Sequence, residues 1–486
     1  MQIVDGEGRA SCRSIDEFDI TALLRRNADL FLRFGGHRAA AGARSATVFS
    51  SGFGESFDEA GAALGARLRE VIAKTGLGVS GPNCMGNICK PGRLITMTEE
   101  RTIDMHLGEV ALVGQSGGVM IFVNAALEER GMSARYIITT GNEAGLHVAD
   151  YIVFFANDPG IKVIVVYCEG VKDATEFQTA CRYAREKGKS VIALKLGQSE
   201  AGRHAALAHT GSLAGSVAAF DAMAADAGAI RADTLDDAVE LAELLAHSGA
   251  AKGRRLGAVT LSGAYRGLLL DAAERAGMEF PKLAPHTLEK LNKALGVGSY
   301  VSNPIDGGFG VLQSADAFKA CIEALHDDPN VDMVLLQEAL PRAPGLTRGE
   351  NYIRIANEYA ATAKKPVSFI TLASHGQTDY SRALRHQRMN VSFLQEANKA
   401  VRVIAATARR AEAEAVAAAP TPAVQALPAP AAALRARAKI EAKSFALDEA
   451  QSKALLAAYG VPMAKEIVAK SKAEAVARSE EHTFEL

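Results

Sequence analysis

The sequence predicts an α/β protein built on parallel sheets, with two such sheets in tandem between residues 108 and 405. Three observations carry this. Short runs rich in Val, Ile and Leu recur, namely "EVALVG", "IKVIVVYCE", "SVIALKLG", "LGAVTLSG", "VDMVLLQ" and "PVSFITLA", each bounded by Gly, Pro or charge. Continuous apolar strands of this kind belong to sheets covered on both faces. Amphipathic stretches such as "ATEFQTACRYAREKG" and "ADAFKACIEALHDD" lie between them, and strand–helix alternation means parallel pairing. Finally, "VALVGQSGGVMIFVNAALEERGM" (Val110 to Met132) is echoed by "AVTLSGAYRGLLLDAAERAGM" (Ala258 to Met278). Both run strand, Gly/Ser turn, helix, Glu-Arg and Gly-Met, which predicts two related domains, 108–250 and 255–405, meeting near Gly249 to Arg255.

The flanks differ in kind. Ahead of the first domain, "GPNCMG" (Gly81 to Gly86) follows "TGLGVS" and reads as a strand-end loop. Behind the second, Arg402 to Lys439 is dominated by Ala and Pro; residues 406–438 are expected to be a semi-stiff linker. Residues 439–477 then read as a helix, a Gly-Val-Pro turn, a strand and the start of another helix, the opening of a further domain.

Composition narrows the function classes. Of 486 residues, 48% are hydrophobic and 23% charged, with a net charge near −2, so no broad basic surface for nucleic acid is implied. The six cysteines are scattered; Cys84 and Cys89 have no second Cys/His pair at zinc-finger spacing. No signal peptide and no apolar run of membrane-spanning length occurs, so a cytoplasmic protein with reduced thiols is expected.

Two stretches carry chemistry. Gly114-Gln115-Ser116-Gly117-Gly118 follows a strand and opens a helix. Free backbone N–H groups and the helix dipole there suit a phosphate. The same five residues also fit a tight structural turn, or the G-x-S-x-G elbow of a serine hydrolase with Ser116 as nucleophile. "LAHTGSLAGS" (Leu207 to Ser216) sets His209 before a run of small residues. A neutral imidazole accepts a phosphoryl group near neutral pH, and Thr210, Gly211, Ser212 and Gly215 offer hydroxyls and backbone donors for its oxygens. Such a histidine needs a carboxylate on its other nitrogen. Glu169, closing the strand "VIVVYCEG", is placed where open α/β sheets bind ligands. Read alone, His204 is a surface histidine, Cys84 is packed rather than catalytic, and "SNPIDGGFG" (Ser302 to Gly310) is a turn at the sheet edge with Asp306 as its one acid.

Taken together, "GPNCMG", "GQSGG", "TTGNEAGLHVADYI", "YCEGVKD" and "HTGSLAGS" stand in the order and spacing of NDP-forming acyl-CoA synthetases. These are the ADP-forming acetate–CoA ligases related to succinyl-CoA synthetase, and residues from about Ser45 to Ala477 resemble them. The resemblance implies a truncated Rossmann-like CoA-binding domain over 44–107, then two flavodoxin-like, succinyl-CoA synthetase-like domains, the linker, and the start of an ATP-grasp domain. It implies interconversion of acyl-CoA, ADP and phosphate with carboxylic acid, CoA and ATP, through an acyl phosphate and then a phosphohistidine. It assigns His209 as the phosphorylated residue and Glu169 as its orienting carboxylate. Gln115, Ser116, Gly117 and Gly118, with Thr210, Gly211 and Ser212, would bind phosphate; Asn83, Cys84, Gly86, Asn142 and Glu143 would border CoA or substrate. CoA is the expected cofactor; ATP or ADP with Mg2+ belongs to the ATP-grasp domain, and no metal ligand is assigned in this chain. An oligomer in the α/β synthetase arrangement is expected, with no membrane and no nucleic-acid partner. The classes set against this reading are a serine esterase at Ser116 and a non-catalytic CoA- or acyl-CoA-binding regulator. One departure stands out: the family's Gly-Gly after Ser in the second domain is here "GAYRG" (Gly263 to Gly267), so Tyr265 and Arg266 are expected to mark a larger or aromatic acyl substrate.

The ends fit neither the fold nor the family. Arg13 to Gly42, with "GGHRAAAG", resembles the C-terminal substrate-binding module of RecJ-type DHH exonucleases; residues 1–43 are expected to be foreign and, lacking the metal-binding domain, without nuclease activity. "RSEEHTFEL" (Arg478 to Leu486) looks like translated adapter sequence. The expectation is a chimeric chain that does not complete acyl-CoA synthesis alone.

Overall fold

The computed structural model describes residues 2–4, 7–9, 45–54, 59–97, 105–202, 217–296, 299–385, 389–418, 449–463, 471–473 and 476. The exonuclease-like stretch Arg13 to Gly42, the histidine loop 203–216 and the tail Arg478 to Leu486 lie outside the described residues. The chain divides into two compact units, Met1–Val416 and Ala417–Leu486.

In the first unit, β1 (Gln2–Val4) and β2 (Glu7–Arg9) form an antiparallel hairpin. Helix α1 (Glu59–Thr75) connects β3 (Ser45–Thr47) to its parallel partner β4 (Gly78–Ser80). Then come β5 (Asn87–Cys89) and β6 (Leu94–Ile95), which join a seven-stranded sheet with β7 (Val110–Gly114), β8 (Ala134–Thr139), β9 (Val163–Cys168), β10 (Ser190–Lys195) and β11 (Ile230–Ala232). The order is β11-β10-β9-β7-β8-β5-β6; β7 to β11 are parallel, while β5 and β6 extend the edge antiparallel. The sheet therefore takes in strands from both sides of residue 107. A second sheet of five parallel strands holds β12 (Leu256–Thr260), β13 (Ile305–Asp306), β14 (Met333–Gln337), β15 (Val367–Ile370) and β16 (Ser392–Leu394), in the order β13-β12-β14-β15-β16. Numbered within each repeat, both parallel sheets read 2-1-3-4-5, the flavodoxin-like order, whose ligand crevice lies beyond the carboxyl ends of strands one and three. The echoed βα units thus begin two copies of one topology.

Helices α2 (Gly117–Glu129), α3 (Val148–Ala156), α4 (Ala174–Glu186), α5 (Val217–Asp226) and α6 (Leu235–His247) alternate with the first set of parallel strands. The second set alternates with α7 (Gly263–Ala276), α8 (Pro285–Ala294), α9 (Gly308–Gln313), α10 (Ala315–Asp327), α11 (Thr347–Ala360) and α12 (Asp379–Arg385), and α13 (Ala397–Ala418) follows β16. Strands β7, β9 and β12 are buried at every position, which explains their unbroken apolar runs.

One buried cluster runs from Val110, Leu112 and Leu127 through Leu241 and Leu244 of α6 to Leu256, Leu269, Val401 and Ile404, so the two sheets share a core at α6. Burial of α6 extends to its acids: Asp237, Glu240 and Glu243 are 2%, 0% and 1% exposed. A buried carboxylate must be paired, and each is. Asp237 meets Arg402 at 2.6 Å, Glu240 meets Arg130 at 2.6 Å, and Glu243 meets Arg385.

The linker expectation needs correction. Residues 406–418 continue α13 instead. Alanine is the strongest helix former, Thr407 and Ala408 are fully buried, Arg410 pairs with Glu414 one turn on, and no proline intervenes before Pro420. The second unit contains α14 (Glu449–Ala458), with Gly460 in a left-handed conformation just beyond it. Among the described residues, no helix is long and apolar enough to cross a membrane.

Candidate active site

The first sheet's crevice opens where β7 gives way to α2. Ser116 caps the helix from an extended conformation (φ −100°, ψ 116°), and its hydroxyl makes no capping bond. Gly117 is required by packing, since a Cβ there would stand 2.4 Å from Met85 Cγ in the loop 81–86. Gly118 is the opposite case: a Cβ would meet nothing within 4 Å. The first-turn N–H groups of α2 have no intrahelical acceptor, and no acidic side chain occupies that turn. A small anion is the natural complement of such an end.

Glu169 stands beside it, the first residue after β9, and is 4% exposed. Gln115 holds it there. Its Oε1 accepts from the backbone N–H of Glu169 (2.5 Å) and Gly170 (3.0 Å), while its Nε2 donates to Gly170 O (2.8 Å) and Glu143 Oε2 (2.9 Å). From below, the buried Lys195 Nζ donates to the carbonyls of Glu169 and Leu196, each at 2.6 Å. Burial pushes the Lys195 pKa down.

Glu143 lies on the neighbouring loop in a left-handed conformation (φ 55°) and is 2% exposed. Its Oε1 accepts from Thr140 Oγ1 and from Val148 N, both at 3.0 Å, so it anchors the start of α3. Burial pushes its pKa up against these bonds. Lys172 Nζ clamps the same loop by donating to the carbonyls of Asn142 and Glu143 at 2.5 Å. The loops 81–86 and 140–146 are laced together: Asn142 N donates to Pro82 O, Ala144 N to Gly81 O, and Asn83 Nδ2 to Asn142 Oδ1 at 3.2 Å. Met85 N in turn donates to Thr139 Oγ1.

Ser116, Gly117, Gly118 and Glu169 are thus brought to one crevice, bordered by Asn83, Asn142 and Glu143. His209, Thr210, Gly211 and Ser212 lie outside the described residues. Four expectations change. Gln115 has no capacity left for phosphate, because its amide makes four bonds and its backbone N–H is taken by Tyr167 O. The Cys84 thiol faces Val48 O and Ser80 O rather than a ligand, and burial raises its pKa. At Gly86 a Cβ would lie 2.6 Å from Thr96 O, so this glycine serves packing. Tyr265 is 1% exposed in the shared core, and Arg266 donates to Pro304 O and lies over the Tyr300 ring. Neither therefore presents itself as a wall for a larger acyl group. Lys195 and Lys172 were missed, although "ALKLG" and "EGVKD" each place a lysine against a strand end.

The serine-hydrolase alternative also fails on geometry. A nucleophile elbow holds its serine on a strained turn, whereas Ser116 is relaxed and extended.

Residues 107–245 match the succinyl-CoA ligase-like flavodoxin domain. The alpha subunit of acetate–CoA ligase (ADP-forming) II from Pyrococcus furiosus is 32% identical over 345 residues, 69% of this chain and 72% of that subunit. The chain belongs to the ADP-forming acetate–CoA ligase family. Acetate–CoA ligase (ADP-forming) I of Archaeoglobus fulgidus is 32% identical over 292 residues; the match covers 60% of this chain but only 41% of that longer relative. Among solved structures, the dinucleotide-forming acetyl-coenzyme A synthetase 1 of Ca. Korarchaeum cryptofilum, in complex with phosphate and ADP, matches with a TM-score of 0.65 at 26% identity. That match covers 78% of this chain and 80% of that one. Membership in a ligase family leaves the esterase and regulator alternatives without support.

Proposed function

We propose that this chain carries the acyl phosphate and phosphohistidine half of an ADP-forming acyl-CoA synthetase. The observation that carries the reading is the crevice itself: an open, acid-free start of α2 at Ser116–Gly118 beside a carboxylate, Glu169, fixed by Gln115 and Lys195.

In the first step a phosphate oxygen attacks the thioester carbonyl. The C–S bond breaks, CoA leaves as thiolate, and an acyl phosphate remains. The N–H groups of Gly117 and Gly118 and the Ser116 hydroxyl hold its phosphoryl oxygens, and preformed donors of this kind stabilise charge as it develops. In the second step the lone pair of a His209 ring nitrogen forms the N–P bond while the P–O bond to the acyl group breaks, releasing the carboxylic acid. Glu169 accepts a hydrogen bond from the proton-bearing nitrogen of the ring, fixing the nucleophilic tautomer and stabilising the cation that forms. Asn83 and Asn142 border the CoA thiol end. Transfer to ADP, with its Mg2+, we assign to an ATP-grasp module working with this chain in a cytoplasmic α/β assembly.

The test is phosphoenzyme formation from labelled acetyl phosphate. An acid-labile, base-stable label is expected on the chain and is lost in His209→Asn. Persistence of that label in the variant would remove His209 from this role.

A further inference from the structure

Lys172 lies three residues beyond Glu169, on the loop that leaves β9. Its Nζ donates at 2.5 Å to the carbonyls of Asn142 and Glu143, on the loop that leaves β8. In the sheet those two strands flank β7. The side chain therefore reaches from one bank of the crevice to the other, past the turn Gln115–Gly118. The two lysines of the crevice differ. Lys195 is buried beneath the strand end and turned to backbone carbonyls, whereas Lys172 is exposed.

An ammonium carries three N–H donors. The two bonds to the loop carbonyls leave one of them without an acceptor among the described residues. Desolvation depresses the Lys172 pKa; Glu143 opposes that shift, and Arg69 of α1 adds to it. Negative charge brought to this point would offset both the desolvation and the repulsion from Arg69.

The acyl-transfer step produces such charge. As phosphate attacks the thioester, the carbonyl π pair moves onto oxygen; as the C–S bond breaks, its pair moves onto sulfur. The phosphate finds its donors at the start of α2. The thioester lies toward Asn83 and Asn142, whose side chains bond to each other, and Lys172 is the charged donor on that bank. We propose that Lys172 is a catalytic residue for this step. Its third N–H donates to the thioester oxygen as negative charge develops there, and its charge offsets the departing thiolate. The inference rests on the reading of the crevice given above and adds a role confined to one step, because transfer from acyl phosphate to His209 involves neither thioester nor thiolate.

The two steps can be entered separately. Labelled acetyl phosphate enters at the second, whereas acetyl-CoA with labelled inorganic phosphate must pass through the first. Both are expected to label the whole chain. Lys172→Met should slow labelling from acetyl-CoA at least about 100-fold more than labelling from acetyl phosphate, the scale for loss of one preformed oxyanion donor. Lys172→Arg keeps the charge and should label from acetyl-CoA faster than Lys172→Gln, which keeps a donor without the charge; this pair carries the test if the methionine variant does not fold. Equal slowing with both substrates would make Lys172 a clamp of the 140–146 loop and overturn the proposal. So would labelling from acetyl-CoA that ignores the substitution, or an arginine variant no faster than the glutamine one. A parent chain labelled by acetyl phosphate but not by acetyl-CoA would overturn it while leaving His209 in its role. A chain labelled by neither would overturn the phosphohistidine reading itself, and this inference with it.

Discussion

The two flavodoxin-like halves share a strand order but tie their crevices in opposite directions. In the first, the turn reaches across: Gln115, after β7, accepts from the backbone of Glu169 and Gly170, after β9. In the second, the third strand reaches back: Gln337, ending β14, accepts from Leu261 N at 2.7 Å. Each half then places a glutamate directly after that strand. Glu169 is buried at the first crevice, whereas Glu338 is partly buried and faces Arg348 at 3.5 Å. The first turn is also overlaid by the 81–86 loop through Met85, while Ser262, Gly263 and Ala264 of the second are exposed. The two halves share a frame, and the residues at the strand ends and in the loops beyond them separate the two crevices.

The comparison breaks most sharply at the two glutamines. Gln115→Leu strands the Glu169 and Gly170 N–H groups and one oxygen of Glu143. At about 1–3 kcal/mol per unsatisfied buried group, we expect a loss of several kcal/mol in urea denaturation and loss of phosphoenzyme. Gln337→Leu strands one N–H, that of Leu261, and should cost only about 1–3 kcal/mol. Equal losses would mean that the two ties are equivalent. Next come the glycines that open the helices. Gly117→Ala drives a Cβ into Met85 and should cost about 1–3 kcal/mol. At Gly263 a Cβ would lie 3.2 Å from Asp306 Oδ2, the end of a side chain that can turn away, so Gly263→Ala should stay within about 0.5 kcal/mol.

The seam joining the halves predicts a pH dependence. Burial and then the nearby Arg385 push His247 down to about 4 from its ordinary 6.5. Against the cost of burial, Arg385 and His247 hold Glu243 below the usual carboxylate range. Both folded-state values are depressed, so the unfolded chain binds the extra proton. Stability from His247 is complete above pH 6.5 and is lost as pH falls toward 4; that from Glu243 fades lower still. A denaturation series across this window should show the slope, and His247→Gln should flatten it. A small effect on stability is expected at Gly118. Gly118→Ala meets open space and should stabilise the chain by no more than about 0.4–1 kcal/mol while raising the acetyl phosphate concentration needed to label it. An unchanged labelling curve would move the anion away from the start of α2.

Much of this architecture was legible in the chain. The runs "VIVVYCEG" and "VDMVLLQ" announce strands because both their faces are buried, and the echo at Val110 and Ala258 announces the duplication because each βα unit packs alike. The antiparallel edge of β5 and β6 was not legible, since three and two residues are too few to show a period. Nor was the role of Gln115, whose partners lie 28 to 55 residues away. The alanines of 406–418 run on without a break into the proline-rich stretch that begins at Pro420, so composition alone hides where the helix ends, although alanine by itself extends a helix. Glu169 was placed by its strand end, while Lys195 beneath it became visible only once β9 and β10 were paired.

Helix α6 has a consequence for how such a protein can be divided. It ends at His247, just before the 249–255 connection, with its leucines and its paired acids facing the other half. A gene cut in that connection would turn the seam into a subunit interface already supplied with a hydrophobic centre and matched charges. Two separately made polypeptides could then recover the arrangement by association, and the loss of covalent continuity would cost them little more than the entropy of meeting.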